Sequence, residues 1–446
     1  MIGMLGIRWR DPADDPTALV GWQLPSMILA TLFFNLFFWD YPAEHFCFSG
    51  SPTGYLVSLG AAMAFVPTLF FLGPALAAHK TRQSLFHVVE ASFGTVPAIA
   101  FRIGCAVLCI LWITGIATVS SLFVRNLLQR SLSRVELGLF AIFLVLFLLA
   151  TGLQSLRTSA KLAFFSNKLG LALLIAAAIR VGRYLPDAWE DMGHAMSGAN
   201  HVWPHIAAPL MVIGPMALLA ADFGYRTHTR KDVVLIGTIG LALPMGLILF
   251  LTSLIQRAAR HWYGYSGYPA NMNFALWGAD SEHYRPQWVA LALVTLFGFA
   301  RFFIFMLRAT VAALVPARKS WLVVLGAVVV AGATLSVIAD QTPILTSNLE
   351  LAARLAACIA AILSADYLVG RWIIRRTRTV DWPALLYAIV GCTAGGPMSF
   401  WQADYEVHLV GSILLTYAAS FVSCLVGRAI EVRVTIISSG TPVADA

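Results

Sequence analysis

Residues 209–226 read PLMVIGPMALLAADFGYR, an apolar run whose charged side chains, Asp222 and Arg226, stand near its C-terminal end. Gly214 and Pro215 lie in its middle. Proline removes a backbone donor and clashes with the carbonyl four residues earlier, and glycine adds conformational freedom, so the pair predicts a break in a membrane helix. A break frees polar backbone groups at membrane depth, which is typical of transporter binding sites. A simple proline kink is the alternative.

The rest of the chain has the same apolar character. Of its 446 residues, 59% are hydrophobic and 12% are charged, whereas soluble domains have about 45–50% apolar and about 25% charged residues. Apolar runs recur that are long enough to cross a hydrocarbon core about 30 Å thick. The composition therefore predicts an all-α integral membrane protein and excludes a soluble enzyme or a disordered regulator.

Charged or Pro/Gly-rich breaks divide the chain into about twelve predicted transmembrane spans. We number them 1 to 12, at about 18–39, 54–78, 98–122, 135–152, 162–182, 206–222, 232–256, 288–310, 321–338, 351–369, 384–400 and 408–427. With a cytoplasmic N-terminus, most of the 30 basic residues fall on the cytoplasmic side. This bias predicts that the terminal segments 1–17 and 429–446 are both cytoplasmic. A compact chain without sorting signals indicates a plasma membrane, specifically a bacterial inner membrane.

The formal net charge of +8 is interpreted as a property of cytoplasmic loops and not as nucleic-acid affinity. The sequence has no GxxxxGK[ST] motif for ATP phosphates and no GxSxG or HExxH motif. We therefore predict no catalytic residue and no cofactor. Secondary transport or a channel is the favoured class.

Among the basic residues within predicted spans, two are candidates for a functional charge, because a charge there costs at least about 2.5–3.5 kcal/mol and usually persists for function. Lys168 stands in span 5 and Arg301 near the middle of span 8. For Lys168 the alternative is a side chain that extends to the cytoplasmic surface. The acids Asp222 and Asp366 lie at the inner ends of spans 6 and 10, so the surplus of buried positive charge disfavours a sodium site.

An outer segment offers the alternative of a membrane enzyme or sensor with a His-rich metal or acid–base cluster. Its residues are Asp187, Glu190, Asp191, His194, His201 and His205. His201 and His205 could meet on a helix, but Pro204 between them argues against one. A solvated loop is the preferred interpretation, and we predict no metal site.

Three stretches resemble a known family. They are SLFHVVEASFGTVPAIAFRIGCAVLCILWITG at 84–115, ADFGYRTHTRKDVVLIGTIG at 221–240, and SADYLVGRW at 364–372 followed by VDWPALLYAIVG at 380–391. In order and position along the chain they are similar to the nucleobase:cation symporter-1 family, the purine and cytosine permease relatives within the amino acid-polyamine-organocation superfamily. The resemblance covers roughly a third of the chain.

The resemblance implies a five-plus-five inverted-repeat core over residues 18–370, with discontinuous spans 1 and 6, followed by two additional helices over 371–428. The substrate would bind among spans 1, 3, 6 and 8, and Trp112 would stack on a planar heterocycle. The other candidate binding residues are Thr31, Asn35, Gly115, Gly214, Pro215, Phe299 and Phe303. Ile116, Phe299 and Phe303 depart from the polar residues that family members carry in these regions.

These features predict a secondary active transporter of a small polar solute, a nucleobase or related planar heterocycle, that works by alternating access. Related transporters imply that a cationic side chain, here Lys168 or Arg301, fills the cation site, so transport would be coupled to a proton or uncoupled. Asp222, Arg226 and Asp366 are candidate cytoplasmic gate residues. The alternative is an amino-acid, amine or organic-anion carrier, because Lys168 and Arg301 would suit a carboxylate.

Overall fold

The computed structural model describes residues 28, 52–128, 133, 135–136, 138–140, 142–144, 146, 156–194, 204–263, 293–295, 298–312, 314, 342–369, 379–396 and 405–439. Every regular element in these ranges is helical. The α-helices are α1 Pro52–Phe65, α2 Gly73–Thr81, α3 Leu85–Phe93, α4 Thr95–Leu128, α5 Leu156–Val181, α6 Leu185–His194, α7 Pro204–Ala220, α8 Arg230–Leu235, α9 Leu243–Tyr263, α10 Arg301–Ala312, α11 Thr342–Val369, α12 Trp382–Gly395 and α13 Tyr405–Ser439.

Within the described ranges, six helical segments are long and apolar enough to cross a membrane. They are Thr53–Thr81, Thr95–Ala117, Lys161–Glu190, Arg230–Ile255, Leu349–Val369 and His408–Glu431. These segments confirm long apolar helices at the positions of predicted spans 2, 3, 5, 7, 10 and 12. Trp382–Gly395 is a shorter apolar helix at the position of span 11. Span 9 lies outside the described residues, as does all of span 1 except Ile28, so the full count of twelve stays a prediction.

The predicted break in span 6 is wrong. Helix α7 continues through Gly214 and Pro215, with Pro209 also inside it, and a 3-10 helix follows at Ala221–Arg226. A proline in a long apolar helix removes one hydrogen bond, and its neighbours keep the helix intact. Gly214 serves packing instead, because an ideal Cβ there would lie 2.8 Å from Cζ of Phe70.

We expect Gly214→Leu to abolish transport and to lower thermal stability, since overfilling a packed contact costs about 1–3 kcal/mol. Apparent melting temperature and uptake would both be measured. Gly104→Ala is the matched control, because Gly104 is an exposed helical glycine with open space around its Cβ position. The double variant Gly214→Leu with Phe70→Ala removes the opposing ring and should recover part of the stability. Wild-type stability of Gly214→Leu alone would contradict the packing role.

Within the described residues, two π-helical turns interrupt regular helix. One is Val66–Leu72, between α1 and α2, and the other is Ile236–Ala242, between α8 and α9. An ideal Cβ on Gly237 would lie 3.0 Å from side-chain carbons of Phe71 and Leu72, so one residue of the second turn packs against the first. Such turns re-aim carbonyls and often occur at functional sites.

The chain divides into two compact units, each described by itself. The first contains Met1–Met63, Arg102–Ala208 and Thr238–Leu345; the second contains Ala64–Phe101, Pro209–Gly237 and Thr346–Ala446. In the first unit α9 packs against α5 and α6, and α10 packs against α5. The ring of Trp189 on α6 meets Phe250 on α9 edge-on at 6.3 Å, which attaches α6 to the unit.

In the second unit, small residues bring α12 and α13 together. Gly391 and Gly395, four residues apart, leave no room for a Cβ beside Ser420 and Thr416 of α13. The Ser412 hydroxyl donates to the Gly395 carbonyl at 2.6 Å. Close approach of small residues is a common basis of helix association in lipid, so the last two described helices form a tight pair.

Candidate functional site

The predicted stacking residue Trp112 is itself in a ring stack. It lies on α4, is 3% exposed, and faces Phe303 of α10 with ring centroids 5.3 Å apart and an interplanar angle of 6°. Phe303 is fully buried and Phe302 meets it edge-on at 5.4 Å. The structure therefore joins two of the predicted binding residues, from spans 3 and 8, in one aromatic cluster. Phe299 is also fully buried, four residues before Phe303.

The buried cation Arg301 lies on a different side of α10. Arg301 and Phe303 are two residues apart, which is about 200° around a helix axis. Arg301 is 2% exposed, so its charge is taken almost wholly out of solvent. A ring bound to Trp112 and an anion bound to Arg301 would thus lie on opposite sides of α10.

Residues just before α10 contact α5 closely. A Cβ on Gly298 would overlap the Ser166 hydroxyl and lie 3.0 Å from the Leu162 carbonyl. Ser166 and Asn167 are buried polar residues of α5, and Thr295 is fully buried one turn before Gly298. Sequence reasoning missed these hydroxyl and amide groups, although Ser166 and Asn167 directly precede Lys168. The region where α5 meets the residues just before α10 is therefore polar, whereas α4 and α10 meet through aromatic rings.

Lys168 points elsewhere. Its side chain is exposed, and its Nζ lies 4.7 Å from the ring centroid of Phe164 one turn earlier on α5. The packed face of α5 carries Ser166, which meets Gly298, whereas Lys168 lies about 200° around the axis from Ser166. The structure therefore does not bring Lys168 together with Arg301, and its coupling role stays a prediction.

The remaining predicted binding residues divide into described and undescribed ones. Gly115 lies on α4 one turn after Trp112, with open space at its Cβ position, and Ile116 is fully buried. Gly214 and Pro215 lie inside α7, where Gly214 contacts Phe70. Thr31 and Asn35 lie outside the described residues.

Two predicted gate residues lie in the 3-10 helix after α7. Asp222, 1% exposed, accepts a hydrogen bond from the Leu85 N–H at 2.8 Å and so caps the start of α3. The Arg226 guanidinium lies over the ring of Tyr225, with 4.5 Å from Cζ to the ring centroid. Burial lowers the pKa of Arg226, while Tyr225 and Asp222 act in the opposite direction.

The same turn is held against α2 by contacts that the sequence did not indicate. A Cβ on Gly224 would overlap the Ala75 carbonyl oxygen. The Thr227 hydroxyl donates to the Gly224 carbonyl at 2.7 Å, so it accepts from Nδ1 of His79 at 2.8 Å. Arg82, a left-handed residue with φ of 54°, donates to the carbonyls of Thr227 and His228. These contacts position Asp222 for capping α3.

The third predicted gate residue, Asp366, belongs to a buried ion network. Arg428 of α13 is 0% exposed; its Nε donates to Asp366 Oδ1 at 3.1 Å and its Nη2 to Asp381 Oδ1 at 3.3 Å. The same Nη2 donates to the Ser92 carbonyl at 3.2 Å, and Nη1 donates to Glu431 at 2.8 Å. Asp381 also caps α12 through the Ala384 N–H. Sequence reasoning did not identify Arg428 as a buried charge. The signal available in the sequence was the acidic residues Asp366 and Asp381, which can neutralise it.

The outer acidic and histidine segment is described only in part. Asp187, Glu190, Asp191 and His194 lie on α6, whereas His201 lies outside the described residues. Among the residues that the structure describes, no group of three or more His, Cys, Asp or Glu side chains could hold a metal ion. The metal alternative therefore gains no support from this part of the chain.

Comparison with known proteins extends the sequence resemblance. The sequence matches no protein-family model and no curated protein, whereas the structure resembles solved membrane proteins. Mhp1, a nucleobase-cation-symport-1 family transporter in a closed conformation with bromovinylhydantoin bound, is 14% identical, with 94% of each chain covered and a TM-score of 0.66. The inward-facing conformation of Mhp1 is 15% identical, with 94% of this chain and 92% of that chain covered and a TM-score of 0.56.

A Na⁺-coupled sialic acid symporter in a substrate-bound outward-open state is 13% identical, with 92% of this chain and 89% of that chain covered and a TM-score of 0.58. These neighbours are transporters and not enzymes. At such identities the likeness concerns the fold. The chain is therefore a helical membrane protein with the fold of Mhp1, a nucleobase-cation-symport-1 family transporter, as the sequence resemblance predicted.

Proposed function

We propose that this protein is a secondary transporter that carries a planar heterocycle of the nucleobase class by alternating access. The observation that carries the proposal is the aromatic stack of Trp112 and Phe303 inside the first unit. The flat face of a buried indole stacks on another flat ring, and this contact needs no charged group. The fold supports the proposal because Mhp1 was solved with a hydantoin bound.

We propose that the permanently charged guanidinium of Arg301 occupies the position that a cation takes in related transporters. Guanidinium stays protonated over the physiological range and cannot leave with the substrate. A permanent positive charge in the cation site would repel sodium, so coupling to a proton or no coupling is proposed. This differs from the sialic acid symporter of the same fold, which is Na⁺-coupled.

We expect uptake to be unchanged when external sodium is replaced by choline at fixed pH and membrane potential. Arg301→Gln should lower uptake at least about tenfold, because the charge costs several kcal/mol to bury and is retained for use. Arg308→Gln is the matched control on the same helix, since Arg308 is exposed, and its uptake should stay within about twofold of wild type. Uptake that rises steeply with sodium would contradict the assignment of Arg301 to the cation site.

The substrate class is tested by thermal stabilisation of purified protein. The panel contains purines, pyrimidines, hydantoins, amino acids and organic acids, each with and without sodium and at two pH values. A ligand of the native state raises apparent stability by RT ln(1 + [L]/Kd), so weak ligands register at high concentration. Stabilisation by heterocycles supports the proposal, and stabilisation by none of them contradicts it.

A second candidate, an organic-anion or amino-acid carrier, is favoured by the burial of Arg301. A carboxylate would pair with the guanidinium in a bidentate manner. Stabilisation only by carboxylates, lost in Arg301→Gln and kept in Trp112→Ala, would establish this candidate in place of the first. Lys168 is the less favoured anion partner because its side chain is exposed.

The wider architecture is proposed with the function. We propose a five-plus-five repeat over 18–370, two additional helices over 371–428, and cytoplasmic terminal segments 1–17 and 429–446 in a bacterial inner membrane. A small solute, with or without a co-transported proton, would be its transport partner. Asp222, Arg226 and Asp366 remain proposed gate residues; cysteine accessibility from each side of the membrane tests the orientation.

A further inference from the structure

Phe303 covers one face of Trp112 in the way that a flat ligand would. The two rings are nearly parallel, with an interplanar angle of 6° and centroids 5.3 Å apart. This is the offset stacking geometry that aromatic rings prefer. Phe303 is fully buried and Trp112 nearly so, so the contact is made away from solvent.

The stacked pair leaves no space for a third ring between its faces. Two rings in contact lie about 3.5–4 Å apart, and an inserted planar ring would need roughly twice that separation. The ring of Phe302 touches Phe303 from the side at 72°. A substrate can therefore stack on this face of Trp112 only after Phe303 has moved off it.

A rotamer change of Phe303 is the movement that would uncover Trp112. Phe303 lies on α10, and aromatic side chains in helices occupy two χ1 wells, near 180° and near −60°. A change between these wells would move the ring off the indole without a change in the backbone. The side chain of Arg301, on the opposite side of α10, would not be displaced by this movement.

We propose that Phe303 is the specificity-determining residue, an internal competitor whose ring occupies Trp112 until a substrate ring replaces it. The inference rests on the proposed function and adds the selection rule. A compound without a planar ring cannot replace the stack. A fused two-ring heterocycle, with a larger face than benzene, replaces it more readily than a single ring does.

The experiment compares Phe303→Leu with Phe302→Leu. Dissociation constants for a purine, a pyrimidine and a hydantoin are measured by titration calorimetry on the full-length purified chain. The stack of Phe303 on Trp112 stabilises the free protein, and a substrate ring has to overcome this stabilisation. Phe303→Leu removes the stack and should therefore tighten heterocycle binding about two- to tenfold. Phe302→Leu removes a buried ring of the same size that meets Phe303 edge-on and is not part of the parallel stack on Trp112, and binding should change less than twofold.

A second variant, Phe303→Met, keeps apolar volume without a ring and should tighten binding as Phe303→Leu does, so that one poorly folded variant does not decide the result. Weaker binding in both Phe303 variants would show a ring that contacts the substrate and would overturn the competitor role. Unchanged binding would overturn it as well. If no planar compound binds wild type or either variant, the proposed function fails together with this inference, whereas binding to wild type with no gain in the variants refutes the inference alone.

Discussion

Trp112→Ala is expected to weaken heterocycle binding about 5- to 150-fold, because stacking of a base on an aromatic side chain contributes about 1–3 kcal/mol. The indole supplies the flat face that the proposed substrate uses, and alanine supplies none. Binding is measured by titration of the purified variant with the compound that stabilises wild type most. Uptake in cells should fall in parallel.

The control for Trp112→Ala separates stacking from folding. Removal of a buried tryptophan also destabilises a protein by about 3–5 kcal/mol, so Trp112→Phe, which keeps a ring, should retain most of the affinity and stability. Trp189→Ala removes a tryptophan of α6 in the same unit, which contacts Phe250 instead, and should leave affinity unchanged. Equal binding by Trp112→Ala and wild type would remove the stacking role from Trp112.

Arg428→Leu should lower the stability of the second unit more than Gly214→Leu or Glu431→Gln does. The guanidinium is 0% exposed and donates to Asp366, Asp381 and the Ser92 carbonyl. Removal of one member of a buried charge network costs about 3–5 kcal/mol, because the carboxylates that remain are left without their counter-charge. The apparent melting temperature in detergent and the yield of monodisperse protein are the measurements.

Matched variants test that explanation. Glu431→Gln changes the partner that is 30% exposed, and we expect a loss of no more than about 1 kcal/mol. Arg428→Leu combined with Asp366→Asn and Asp381→Asn removes the excess negative charge while asparagine still caps α12, so part of the stability should return. A loss in Arg428→Leu no greater than that in Glu431→Gln would contradict the role of the buried network.

Trp112 illustrates which parts of the candidate site could be predicted. The family resemblance marked Trp112 as a stacking residue. For Phe303 it indicated only that the residue lies in the region of span 8 where the substrate would bind. The contact between them joins residues on α4 and α10, and no local pattern encodes such a distant pairing. The break at Gly214 was predicted wrongly, because a local motif does not reveal that the ring of Phe70 fills the space beside the glycine.

The buried charges show the same division. Asp366 and Arg428 stand 62 residues apart, and Ser92 lies 336 residues from Arg428. A charged residue at the end of an apolar run is consistent with a solvated position, and only its packing against other helices shows that it is buried. Lys168 is the opposite case, since a charge predicted inside a span has an exposed side chain.

The sequence by itself determined that the protein is a helical membrane protein and where several spans lie, because each span must contain its own apolar residues and satisfy its own backbone hydrogen bonds. The tertiary structure decided which ring covers Trp112, which acids surround Arg428 and why position 214 is glycine. These depend on distances between helices far apart in the chain, and such distances are set by packing and not by the composition of any one segment.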